Sequence, residues 1–107
     1  MVTATVVKDP SGYVSFKCSG HAGYMRKGKD IVCSAISALT VNAANSIMTL
    51  TDSGISVTEN DGFLSWTFDG TCGREAELLM DSLLIGLKSV EEQYGKYLKL
   101  EIKEVKP

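Results

Sequence analysis

The run IVCSAISALTVNAANSIMTL, residues 31–50, decides the fold. Val32, Ile36, Leu39, Ala43, Ile47 and Leu50 recur at helical spacing, and Asp30 stands where an N-cap residue belongs, so the stretch predicts one long helix. Cys33 then falls in the first turn, where unpaired N–H groups and the positive end of the helix dipole favour a thiolate. None of these twenty residues is charged, whereas a surface helix ordinarily carries a charged outer face. The second face is therefore expected to be covered by another helix or a second subunit, which predicts a homodimer. A membrane span is the competing explanation, but Ser34, Ser37, Asn42, Asn45 and Ser46 make the run too polar for one, and no membrane partner is expected.

Just upstream lies Gly20-His21-Ala22-Gly23, then Gly28-Lys29-Asp30-Ile31-Val32-Cys33. This spacing brings the only histidine close to the helix-start cysteine, a pairing suited to a thiol nucleophile and its proton carrier. Asp30 has two readings: it orients His21 as a third member, or it caps the helix. Ser37, one turn beyond Cys33, hydrogen-bonds the dyad or a substrate group, or bonds back to the Cys33 carbonyl. Gly20, Gly23 and Gly28 permit sharp turns and a loop that opens for substrate. The oxyanion of a tetrahedral intermediate would find backbone N–H donors around the helix start.

The flanking chain supplies strands. Residues 2–8 and 13–19 are β-rich runs joined by Asp9-Pro10-Ser11-Gly12, with Val14, Phe16 and Cys18 expected on the buried face of the second. Residues 55–59 and 63–68 form a second hairpin through Asn60-Asp61-Gly62, with Leu64, Trp66 and Phe68 sharing one face. Residues 74–94 read as an amphipathic helix on Ala76, Leu79, Met80, Leu83, Leu87, Val90 and Tyr94. Gly95 stops it, and residues 97–105 alternate as a last strand. The order ββαββαβ predicts an α/β (α+β) two-layer sandwich, with a mainly antiparallel sheet and two helices on one face.

The strings GHAGY and GKDIVCSAISAL resemble the signature of the ribosomal-processing cysteine proteases (Prp). The resemblance implies a catalytic dyad of His21 and Cys33, with Gly20, Asp30 and Ser37 at the family's other characteristic positions. It implies a mobile loop over the site from Ala22 to Lys29, including Gly23, Tyr24 and Gly28. It also implies a substrate: the N-terminal extension of large-subunit ribosomal protein twenty-seven.

At 107 residues the chain fits a single domain, residues 1–107, with one core. Its 44% hydrophobic and 22% charged residues are those of a globular protein, and a net charge of -2 argues against direct nucleic-acid binding. The basic cluster Arg26, Lys27 and Lys29 reads as a solvated loop. Three cysteines and no evident signal peptide predict reduced thiols and a cytoplasmic setting. Cys18 is expected to be an inert core residue, whereas Cys72, just before the second helix, is placed to react but lacks a second histidine. Zinc held by Cys18, His21, Cys33 and Cys72 lacks the usual short ligand pairs, so no metal or other cofactor is expected. Two functions from other classes compete with the protease: a non-enzymatic, ribosome-associated binding module and a thiol redox protein. The latter is disfavoured by the absence of a Cys-x-x-Cys pair.

Overall fold

The computed structural model describes residues 1–26 and 28–106. The chain runs β1 (Val2–Asp9), β2 (Gly12–Ser19), α1 (Ile31–Leu50), β3 (Ile55–Asn60), β4 (Phe63–Phe68), α2 (Arg74–Gln93) and β5 (Leu98–Glu104). The strands form one sheet in the order β3-β4-β2-β1-β5. Its first three pairings are antiparallel, while β5 lies parallel to β1, so the sheet is mixed. The return through α2 makes the parallel pairing possible, because parallel neighbours need a long crossover. Val2 N–H donates to the Tyr97 carbonyl at 2.8 Å where that crossover ends.

One sheet face carries the core. Ala4 and Val6 of β1 pair with Cys18 and Phe16 of β2, and these in turn with Leu64 and Trp66 of β4. All six are buried, and the Phe16 and Trp66 rings meet at 4.6 Å between centroids. Ala76, Met80, Leu83 and Leu87 of α2 close over this face, and α1 packs beside α2. The two helices approach closely at Gly86, where an added Cβ would lie 2.8 Å from a Leu39 methyl.

Two expectations of facing are corrected. In β2 it is Tyr13, not Val14, that shares the buried face with Phe16 and Cys18. The pairing jumps from Val7↔Ser15 to Lys8↔Tyr13, so Val14 is the extra residue of a bulge that reverses the alternation. The bulge brings the Tyr13 hydroxyl to Asp81 of α2 through a short hydrogen bond and places its ring under the Lys8 ammonium, 4.7 Å from the centroid. In α1 the buried stripe is Val32, Ile36, Thr40, Ala43, Ala44 and Ile47, while Leu50 stays 70% exposed at the helix end. Thr40 tolerates burial because its hydroxyl donates to the Ile36 carbonyl at 2.9 Å.

The α1 helix is long and apolar enough to cross a membrane by length and composition alone, yet its buried stripe is committed to the domain core. The outer face, including Ser34, Ala38, Asn42 and Asn45, is exposed in the single chain.

Candidate active site

Asp30 organises the start of α1. One carboxylate oxygen accepts the Cys33 N–H at 2.9 Å, and the other accepts Tyr24 N–H at 3.0 Å and Met25 N–H at 3.4 Å. These donors, Cys33 first, hold the carboxyl below its ordinary value against the opposing effect of burial. Of the two roles the sequence allows, Asp30 performs the cap, and its hydrogen bonds go to backbone N–H groups on both sides of the Cys33 turn. One side chain thus fixes the Cys33 turn and the loop that precedes it.

Two of the helix-start N–H groups are engaged within the turn itself. Cys33 N–H is taken by the Asp30 side chain, and Ser34 N–H donates to the Asp30 carbonyl at 3.1 Å. The helix-start donors at these two positions are therefore engaged in the cap.

His21 follows β2 and is fixed from two sides. Its carbonyl accepts from the Met1 amino group at 2.7 Å, and the preceding Gly20 N–H donates to the Gly62 carbonyl at 2.8 Å. Gly20 has φ +101, and a Cβ there would strike the Met1 carbonyl oxygen, so glycine is required. The imidazole is exposed, with Nε2 3.9 Å from an Asp61 carboxylate oxygen.

His21 and Cys33 line one cleft of about 480 Å³ between the β3–β4 turn and α1. Cys33 is half-buried. Among the described residues no hydrogen bond joins the thiol to the imidazole, and both border the same space. Gly20, Asp30 and Ser37 border the same cleft. Beyond Cys33 the wall continues along α1 through Ser37, Thr40 and Val41, and Cys18, Phe63 and Leu64 lie opposite.

The loop before Cys33 is tethered at its near end. Ala22 is buried, and the Tyr24 ring meets Tyr94 and Tyr97 edge-on at 5.5 and 5.2 Å between centroids. Gly23 and Gly28 both take positive φ, the backbone that glycine provides most readily. Of the basic cluster, Arg26 and Lys29 are exposed and Lys27 falls outside the described residues.

The other two cysteines differ sharply in setting. Burial, with a smaller contribution from Cys33, pushes the Cys18 thiol up to about 11. Burial also raises the Cys72 thiol, which donates to the Gly73 carbonyl at 3.5 Å; its environment thus opposes the reactivity that its sequence position suggested. Among the described residues no group of three or more His, Cys, Asp or Glu side chains is placed to hold a metal ion.

Two neighbours of His21 escaped the sequence reading, which treated Asp61 and Gly62 only as turn residues. Their proximity follows from the β2–β4 pairing, in which Ser19 opposes Phe63. A turn motif alone gives no sign of which strand end it will meet.

Comparison with known proteins places this geometry in a family. Residues 1–99 match the family model described as cysteine protease Prp. The ribosomal processing cysteine protease Prp of Staphylococcus aureus strain Mu50 is 30% identical, the match covering 96% of this chain and 100% of that protein. Its Bacillus subtilis strain 168 counterpart is 26% identical, with 94% and 96% covered. The crystal structure of Prp from S. aureus in complex with a covalently linked product peptide superposes with a TM-score of 0.91 at 27% identity, covering 96% of this chain and 100% of that one. The chain therefore belongs to the Prp family of cysteine proteases, and of the functions its sequence left open the enzymatic one holds.

Proposed function

We propose that this protein is a cytoplasmic endopeptidase that removes the N-terminal extension of large-subunit ribosomal protein twenty-seven, using Cys33 as nucleophile and His21 as proton carrier. The observation that carries this reading is the shared cleft: the chain's only histidine and, among the described residues, the one half-buried cysteine border one space beneath a capped helix start. The Prp names of the relatives supply the ribosomal connection.

In the proposed reaction an extended peptide lies with its scissile carbonyl over Cys33. The thiolate adds to that carbon, the tetrahedral intermediate collapses, and the C–N bond breaks as His21 protonates the departing amine. His21 then takes a proton from water, whose oxygen adds to the thioester carbon; the C–S bond breaks, releasing the N-terminal peptide as its free acid and restoring the Cys33 thiolate beside a protonated His21. Asp30 holds the nucleophile's turn in place, Ser37 offers its hydroxyl to the substrate, and residues 22–29 act as the loop that admits it, turning at Gly23 and Gly28.

The groove from Cys33 to Val41 extends about 12 Å at 1.5 Å per helical residue, enough for three or four extended substrate residues. Its lining by Cys18, Val41, Phe63 and Leu64 fits apolar or aromatic side chains. Each such anchor is worth about 1.5–3 kcal/mol on full burial. Peptides in which the apolar positions before the cut are replaced singly by aspartate should lose about tenfold or more in kcat/KM. Indifference to every replacement would refute this selectivity.

The uncharged outer face of α1 is assigned to a second copy of the chain. Sedimentation should show a dimer at micromolar concentration, and Ala38→Glu should yield monomers with an unchanged far-ultraviolet spectrum. A parent protein that sediments strictly as a monomer would contradict the assignment.

A further inference from the structure

The β3–β4 turn stands against the imidazole in a way the dyad alone does not explain. An added Cβ at Gly62 would fall 2.7 Å from His21 Nε2, 3.1 Å from Cε1 and 3.3 Å from Cδ2. Three ring atoms therefore lie where any side chain at this position would begin. The approach is anchored, because Gly20 N–H donates to the Gly62 carbonyl at 2.8 Å, tying the turn to the residue before His21. Gly62 also takes φ +69, so the turn itself favours glycine, and its neighbour Asp61 presents a carboxylate to the same edge of the ring.

We infer that Gly62 is a positioning residue for the protease reaction: its bare Cα is the seat on which the His21 imidazole rests, and its carbonyl holds the strand end that carries His21. This inference rests on His21 being the proton carrier. An exposed imidazole can adopt several rotamers, and proton transfer to a leaving amine requires one of them at hydrogen-bond distance. Backbone on one flank narrows that choice without a hydrogen bond to the ring. A methyl group at the seat must displace the imidazole, because the turn backbone beneath it is tied to Gly20 by the carbonyl bond and the exposed ring is the part free to move.

The test compares Gly62→Ala and Gly62→Asn with Gly12→Ala in the full chain. Asparagine tolerates positive φ better than alanine, so it introduces the same Cβ with less backbone strain. Gly12, which opens β2 and does not line the cleft, also has positive φ, but a Cβ there meets its nearest atom at an ordinary 3.5 Å. Both Gly62 variants should lose at least about tenfold in kcat with KM within about twofold, since misplacing a catalytic group by an ångström costs up to about 10²-fold. Gly12→Ala should keep its kcat.

The chain's single histidine also gives one set of imidazole proton and nitrogen NMR signals. These should move in both Gly62 variants and stay in place in Gly12→Ala, whichever residues catalyse. A folded Gly62 variant with parental kcat, or with unmoved imidazole signals, overturns the inference. If His21→Ala retains full activity, the proton-carrier reading fails instead, and the NMR shift still reports whether Gly62 seats the ring.

Discussion

Cys33→Ala should abolish peptide cleavage while leaving the melting temperature close to that of the parent, and His21→Ala should lower kcat by about 10²–10⁴-fold. On the proposed mechanism the first substitution removes the thiol that forms the thioester. On the same mechanism the second leaves that thiol without its proton carrier. Neither should unfold the domain, because Cys33 is half-buried and the imidazole is exposed. Alkylation at neutral pH gives a parallel check: Cys33 should react first, since burial raises both the Cys18 and Cys72 thiols and keeps them protonated. Near-parental turnover by Cys33→Ala would remove the nucleophile from the account.

The second large effect is expected at Asp30. Asp30→Ala frees the N–H groups of Cys33, Tyr24 and Met25 at once, loosening the helix start and the loop entry together. Cleavage should fall by about 10²-fold, the scale associated with a misplaced reacting group, and the melting temperature should drop. The pH dependence has a definite sign. The folded carboxyl is held below the ordinary value of 3.8, so its ionised form stabilises the fold above that pH, and this contribution is lost as pH falls through the lower, folded value. The melting difference between the parent and Asp30→Ala should therefore be full at neutral pH and shrink only below about pH 3.8. A difference that collapses between pH 5 and 7 would assign the effect to another group.

The helix start was legible in the sequence because its signals are local. An aspartate before an apolar periodic run specifies the cap and the Cys33 turn from neighbouring residues alone, and α1 begins and ends where that period does. Strand facing was less legible. Alternation in β2 predicts Val14 inside, but a bulge opposite Val7 and Lys8 reverses the phase, and that bulge is a property of two strands paired together. The surroundings of His21 were the least legible. Asp61 and Gly62 lie forty residues further along the chain and reach the imidazole only because β4 pairs with β2, bringing the turn onto the strand end. Local spacing thus singled out the histidine and the cysteine that border one cleft, while the groups that flank the imidazole depend on sheet order.

Whether this Prp-family protease uses the Cys33–His21 cleft to shorten a ribosomal protein is tested most directly by incubating the purified protein with the unprocessed large-subunit ribosomal protein twenty-seven of the same organism and identifying the new N-terminus by mass spectrometry. The account predicts one cut that releases a short N-terminal peptide, no cut with Cys33→Ala, and a parent enzyme trapped as a Cys33 thioester when the reaction is quenched in acid. Full-length substrate recovered intact from the parent enzyme, or an identical cut made by Cys33→Ala, would contradict it.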